Sequence, residues 1–466
     1  MFLNINMKVN FYKILLFFLV LNIIHANKAV VLLSATYYVS PNGAATWGDN
    51  TSIDNPSSVF DGTRNFLTKP VAGDTIIFLD GVYGPIIQDS FPDPGETGAW
   101  VPTNSGVVNQ PITYKSLNRH SAKLIGKAIG SGSVNARIWG THFKDYIVID
   151  GFQMSGFNFD GSAPVMPTID IRESEGCFVR NCEFVGISHA NGGAINYEGI
   201  RIHKSSNIII ENCKFNNYLE TSVKSPNTSA IKTFYASNAT IKNCEFYNNT
   251  VDIFLKGYPH NDIKIINNFF TSNINIMVSQ GVAIIDNRNP NSSNLTLQNN
   301  IFFNSILNVD LSTNKSPCII NNIKVFNNLS LNGLFEWAGA EINNGPEVYN
   351  NIFASEEGVV LRYRHNFESK IKYSDFNAIP YFRHFLMRDY GDRQLYQNIN
   401  LWQNSNELFD GSHPDLHSVN FPLIFVNSSG SMSHIADFLL KNSDVYVGMG
   451  RFNSNIGPDV SLIGIK

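Results

Sequence analysis

The sequence has no surplus of either charge: 34 Lys and Arg stand against 38 Asp and Glu, and charged residues are only 15% of the 466. A nucleic-acid binder or a basic membrane-surface protein needs a concentrated positive excess, so any anionic partner must be met by a local patch. Cysteine is scarce too, with five residues and no CxxC or Cys/His spacing that would hold zinc. The odd count leaves at least one thiol unpaired. Beyond residue 33 no apolar run is long enough to cross a bilayer. Helical periodicity is missing between the apolar segments, and no Pro-rich, basic or low-complexity tail marks a second functional module.

What is present starts at the N-terminus. Lys8 and Lys13 precede an apolar run from Ile14 to Ile24 that is too short for a spanning helix, and the small residue Ala26 follows it. This pattern predicts a secretory signal over 1–26, with Ala35 as a second cleavage point and Met7 as an alternative start. The mature protein is then expected to be secreted or periplasmic, without an integral membrane segment, and monomeric.

A motif recurs through the rest of the chain. "GIRIHKSSNIIIENCKFNNY" at Gly199 and "AIKTFYASNATIKNCEFYNN" at Ala230 share their order of apolar, Asn and Phe residues. Taking the residue after the Asn of "NCEF" as an anchor sets Phe152, Cys182, Cys213, Cys244, Asn268, Asn300, Asn328, Asn351 and Ser374 in equivalent places, 23 to 32 residues apart. Helical solenoids keep a fixed repeat length; strands joined by loops of free length do not need one. Apolar residues five and three before the anchor, at it, and two after it follow the period of a strand. A single coil cannot bury that inward face, but a stack of coils can. The expected fold is therefore all-β, a right-handed parallel β-helix with a Phe column (Phe184, Phe215, Phe246, Phe270, Phe302) and a column of inert core thiols (Cys182, Cys213, Cys244). Asn207, Asn238 and Asn294, six before their anchors, are expected at turns bonding to the next coil. The organisation expected is 36–128 for an N-terminal cap and first coils, 129–426 for the coils, and 427–466 for a C-terminal coil or cap.

"YYVSPNGAATWGDNTSIDNP" from Tyr37 and "AGDTIIFLDGVYG" from Ala72 resemble the opening of β-helix proteins of the pectin-lyase type. "ADFLLKNSDVYVGMG" resembles their last coil, with Asp444 in place of a proline. That resemblance implies the fold, which hosts several chemistries.

Twelve residues before the successive anchors stand Asp170, Arg201, Lys232, Lys256, Arg288 and, before Ser374, Arg362. Their neighbours Ile200, Ile231 and Leu255 are apolar, so the charged residues are expected to face outward. Arg201, Lys232, Lys256 and Arg288 would form one column at the strand spacing of about 4.8 Å. Arg172, His203, Phe234, Tyr258 and Arg364 lie two residues further along. Neighbouring unit charges at that spacing repel by roughly 3 kcal/mol at an effective dielectric near 20. Either an acidic polymer along the coil axis offsets this, or carboxylates such as Glu198, Glu220 and Asp252 do. Tyr258 and Phe234 would stack on pyranose faces while Arg201, Arg288 and Arg362 hold carboxylates or sulfates, with His203 as a proton carrier or simply an exposed histidine.

The stretch from Ala230 to Phe270 resembles the family-six polysaccharide lyases, which include alginate lyases and chondroitinase B. The resemblance implies a Lys base, matched by Lys232, and an Arg one coil later in an Arg-His pair. The latter place falls at Lys256, followed by Gly257, so the pair is lost. It implies calcium-binding carboxylates near Ser225 and Asn227, neither of which is acidic, so no cofactor is expected. The function expected is β-elimination on a uronic-acid-containing acidic polysaccharide, with Lys232 and Lys256 as catalytic residues. The alternative is an adhesin-like β-helix that binds acidic glycan without cleaving it. Hydrolysis needs two carboxyl groups within about 5 to 9.5 Å; Asp170 and Asp286 are too far apart in the stack, and only Asp286 with Asp310 leaves that route open.

Overall fold

The computed structural model describes residues 34–87, 100–127, 137–155, 165–189, 196–221, 227–257, 259–271, 280–285, 291–310, 319–338, 346–364, 372–380, 382–388, 394–396, 398–405, 412–426, 434–441 and 443–465. The expected signal segment and Tyr258 and Arg288 lie outside them.

Each coil lays down three strands. In one of them Ile209–Glu211 belongs to the first face, Lys214–Asn216 to the second, and Ser229–Phe234 to the third, after which Ser237–Lys242 begins the next turn of the first face. The first face is a 13-stranded sheet. The other two faces join into one 20-stranded sheet, because Ile352–Arg364 pairs with Leu329–Leu331 at its start and with Leu334–Ala338 further on. Pairing between coils is parallel, so each strand meets its counterpart one coil away. Strands Thr36–Ser40, Thr75–Phe78 and Ile112–Ser116 already belong to the first sheet, and the short helix Asn65–Thr68 buries Phe66 against Phe78 and Trp100.

The inward columns explain why the stack holds. Phe184, Phe215, Phe246, Phe270 and Phe302 lie face to face, with centroids 4.7 to 5.0 Å apart and planes within 11°. Cys182, Cys213 and Cys244 are free and buried, as expected. Their column continues as a ladder of buried amides: the backbone N–H of Cys244 donates to Asn268 Oδ1, that of Asn268 to Asn300, and so on through Asn328 and Asn351 to Asn377, at 2.9 to 3.0 Å. These amides satisfy backbone groups at a turn where Asn243, Asn267, Asn299, Asn327 and Asn350 take positive φ, a conformation that Asn tolerates better than other non-glycine residues. Asn207, Asn238 and Asn294 also have positive φ, and their amides bond along the stack as expected.

One expectation is corrected: the last anchor is Asn377, not Ser374, since Ser374 pairs with Val348, three residues before Asn351. The C-terminal segment, expected as a coil or cap, lays down no further strand among its described residues. Its described residues form short 3-10 turns that run back along the Asn turns: Gly457 N–H donates to Asn350 O at 2.6 Å, Gly464 N–H to Asn267 O at 3.0 Å, and Asn299 Nδ2 donates to Asp459 O at 3.1 Å. Phe438, Tyr446, Ile456 and Ile463 cover an outer apolar row that includes Phe269, Ile301, Leu329 and Ile352.

Candidate functional site

The third face carries the charged residues. Ile169, Ile171, Ile200, Ile202, Ile231, Ile253 and Leu255 are buried in the stack. Strand alternation therefore turns Asp170 and Arg172, Arg201 and His203, Lys232 and Phe234, and Phe254 and Lys256 to the outer side. The register runs Asp170 to Arg201 to Lys232 to Phe254 to Ala283.

That register corrects the expected column. Phe254, not Lys256, stands opposite Lys232. The turn between Lys256 and Asn261 has four residues where Tyr235 and Ala236 suffice before Ser237, the partner of Asn261. Counting back from the anchor carries this insertion into the strand and displaces Lys256 by two places. In the next coil the column position is Ala283, within the strand Gln280–Ile285, and not Arg288, which lies outside the described residues. Arg362 does occupy the column, opposite Glu336. It is five strands from Lys232, roughly 24 Å at the strand spacing, and only its backbone is described. Asp286 is outside the described residues, and of Asp310 only the backbone is described.

A second correction concerns exposure. The row was expected to face solvent, yet Lys232 is 0% exposed and Arg201 8%. The charges are balanced from within. Glu198, itself fully buried, accepts from Arg201 Nη2 at 2.8 Å through each carboxylate oxygen and lies 2.8 Å from Lys232 Nζ through Oε1. Three residues apart on a strand normally means opposite faces. Here Gly199 turns inward beside Ile200: a Cβ on it would meet the carbonyl oxygen of Ala230 at 2.6 Å and the Phe215 ring at 3.1 Å. Two consecutive inward positions return Glu198 to the face of Arg201.

One coil earlier, Asp170 Oδ2 accepts from Arg137 Nη1 at 2.8 Å and Arg172 Nη2 at 3.2 Å, and His142 Nε2 lies 3.2 Å away. Burial pushes the Asp170 carboxyl up, but His142 and the surrounding arginines outweigh it and hold the group well below the carboxylate range. Glu198 follows the same balance: burial opposes its ionisation, and Arg201 with Lys232 overcomes it.

Lys232 behaves differently. Burial is the largest influence and lowers it; Glu198 holds it up, while Lys256 and Arg201 push it down, and it settles at about 8. Its Nζ also donates to the carbonyl oxygen of Asn227, to Asn227 Oδ1 at 3.2 Å and to Asn196 Oδ1 at 3.4 Å. Lys256 Nζ donates to the same Asn227 Oδ1 at 2.5 Å. Both ammonium groups lie 5.3 Å from the centre of the Phe254 ring, and the Arg201 guanidinium lies 5.7 Å from that of Phe234. The half-buried His203 ring meets Phe234 edge-on at 6.0 Å and Tyr235 at 6.4 Å. Burial, then Arg172, lower its pKa.

The structure thus gathers Arg201, His203, Phe234, Lys232 and Lys256. It adds Arg137, His142 and Asn196, for which the sequence pattern held no signal, and Asn227, which the resemblance marked only as the place of a missing calcium carboxylate. Asp252 is not part of this balance. It accepts from Asn249 at 2.8 Å, and burial pushes its carboxyl well up.

The residues do not fit calcium. Both oxygens of Asn227 already face ammonium groups, Glu198 is committed to two cations, and Ser225 is outside the described residues. Among the described residues no group of three or more His, Cys, Asp or Glu is placed to hold a metal. None of the described helices is long and apolar enough to cross a membrane.

Residues 151–329 match the family model described as right handed beta helix region, which agrees with the stacked parallel coils and with the handedness expected. No curated protein sequence matches the chain. Among solved structures, pectate lyase Pel9A is similar over 93% of this chain and 97% of its own, with 14% identity and a TM-score of 0.53. A rhamnogalacturonan lyase aligns over 66% of this chain and 84% of its own at 14% identity and a TM-score of 0.41. The PL6 family polysaccharide lyase Pedsa3628 from Pseudopedobacter saltans aligns over 86% and 93%, at 14% identity and a TM-score of 0.39. At 14% identity the likeness to Pel9A shows the fold alone.

Proposed function

We propose that this β-helix is an exported lyase that cleaves a uronic-acid-containing polysaccharide by β-elimination. The observation that carries the reading is the pair of ammonium groups, Lys232 and Lys256, converging on one oxygen on an outer face of the stack, with Arg201 beside them.

Elimination needs a cationic site that steadies the uronate carboxylate as charge builds next to it, and a base for the C5 proton. Lys232 is that base in its neutral form, which a pKa of about 8 makes accessible near neutrality. The C5–H electron pair becomes the C4–C5 double bond as the C4–oxygen bond breaks. The proton from C5 ends on Lys232 Nζ, and the leaving oxygen takes one from Lys256. Solvent then returns both amines to their starting states. Phe234 and His203 line the neighbouring part of the face, where an adjoining sugar would lie.

One observation favours the second reading, a glycan-binding protein without turnover: Lys232 has no solvent exposure, and oxygen acceptors already surround its Nζ. The two readings separate on one assay. Release of unsaturated uronate ends from pectate, alginate, chondroitin sulfate or heparin, followed by their ultraviolet absorbance, supports the lyase. Salt-sensitive binding to any of these polymers, with no unsaturated ends, supports the binding protein.

A further inference from the structure

The side-chain amide oxygen of Asn227 sits between two cations, 3.2 Å from Lys232 Nζ and 2.5 Å from Lys256 Nζ. The backbone of the same residue is fixed on both sides: its carbonyl oxygen accepts from Lys232, and its N–H donates to Glu220 Oε2 at 3.1 Å. The two lysines are not cross-strand partners, since Lys232 stands opposite Phe254. Their side chains nonetheless converge, each Nζ 5.3 Å from the centre of the Phe254 ring. Two ammonium groups brought this close repel unless negative charge lies between them. An amide oxygen supplies only a partial charge. A carboxylate oxygen at the same point would make two charge-assisted bonds, each roughly twice as strong as a neutral one.

We propose that the gap between Lys232 and Lys256 is the subsite for the substrate carboxylate, and that Asn227 fills it in the free protein until a uronate displaces it. The identity of the anion as a uronate rests on the lyase reading; the gap itself is defined by the geometry. A carboxylate that displaces the Asn227 side-chain amide would take its place beside Lys232 Nζ, which keeps Glu198 and the Asn227 carbonyl oxygen as partners. It also orders the chemistry. C5 of a uronate carries the carboxylate, so a carboxylate in this gap brings the C5 hydrogen next to Lys232, which takes that proton in the fraction of complexes whose amine is neutral.

The groups that face Lys232 are Glu198 and Arg201 from one neighbouring strand, Lys256 and Phe254 from the other, and Asn196 and Asn227. Asp170 lies on the far side of Arg201 and is already engaged by Arg137 and Arg172.

Asn227→Asp tests the proposal by building the anion into the chain. It should raise the thermal midpoint by a few degrees, and adding Lys256→Met should remove that gain. In calorimetry with tetragalacturonate and tetramannuronate, Asn227→Asp should bind at least about tenfold more weakly than the wild type. Asn227→Ala, which removes the internal competitor, should bind as tightly as the wild type or up to about tenfold more tightly. Carboxyl-reduced tetrasaccharides should not distinguish the three proteins. A midpoint unchanged or lowered by Asn227→Asp would overturn the anion site, and uronate binding unaffected by it would overturn the carboxylate subsite. If Asn227→Asp is stabilised through Lys256 while no variant binds either uronate, the internal anion site stands and the polysaccharide reading fails.

Discussion

Glu198 Oε1 lies 2.8 Å from Lys232 Nζ, and neither side chain has any solvent exposure. A buried carboxylate that serves Arg201 and Lys232 together decides both the charge balance of the face and the protonation of the amine.

Glu198→Gln leaves Arg201 and Lys232 buried without their anion. Removing one partner of a buried pair typically costs about 3 to 5 kcal/mol, and denaturant unfolding should show a loss of that order. Glu198 is also the largest influence holding Lys232 up, so its removal should move the titration of Lys232 to lower pH. Lysine reactivity toward reductive methylation, followed against pH, reads that shift without reference to activity. An unchanged Lys232 profile in folded Glu198→Gln would count against the coupling.

Phe246 sits in the middle of the aromatic stack, 5.0 Å from Phe215 and 4.9 Å from Phe270. Phe246→Ala should cost about 3 to 5 kcal/mol. Loss of less than about 1 kcal/mol in denaturant unfolding would mean that the stack does not carry the core there, since even an Ile→Val change in a core can cost that much.

The pattern that revealed this stack was legible because alternation leaves no choice: Phe184 through Phe302 must face inward if the neighbouring Asn residues are to reach the turns. The outer face was less legible for a related reason. Counting from the turn anchors works only while the intervening turn keeps its length, and the longer turn after Lys256 moved that residue out of the column of Lys232. The same counting placed the last anchor at Ser374, whereas Phe376, two residues on, takes the turn position at φ 56°. Glu198 was visible only as one of three acids, with Glu220 and Asp252, named to balance the row. Its place beside Arg201 depends on Gly199 facing inward, which a strand period does not anticipate. The C-terminal return along the Asn turns was not read from the sequence: its backbone and Asn-amide bonds follow no period, and the outer apolar row that it covers, Phe269, Ile301, Leu329 and Ile352, stands one residue after each Asn anchor, where strand alternation assigns the outer side.

His260 is buried, and that burial lowers its pKa to about 3. Its neutral ring is therefore favoured in the folded state. Between the ordinary histidine value of about 6.5 and the folded value the unfolded chain binds the extra proton. The stability contribution is complete above about pH 6.5 and is lost as pH falls toward 3. His260→Gln, which cannot take up a proton, should make the protein less acid-sensitive. From pH 6.5 to 4.5 the wild type should lose up to about 1.4 kcal/mol per pH unit more than the variant, a difference in which the contributions of Asp170 and Glu198 cancel. Parallel stability curves over that interval would show that His260 does not titrate as its burial requires.

The most direct test of the lyase account compares the wild type with Lys232→Ala and Lys232→Arg on the uronate polymer that responds best, by the absorbance of unsaturated ends across pH. The wild-type rate should rise with pH through about 8 as the neutral amine appears. Lys232→Ala should form no product while remaining folded, and Lys232→Arg should not restore it, because guanidinium stays protonated. Full elimination by Lys232→Ala, or no unsaturated ends from the wild type on any of the four polymers, would contradict the account.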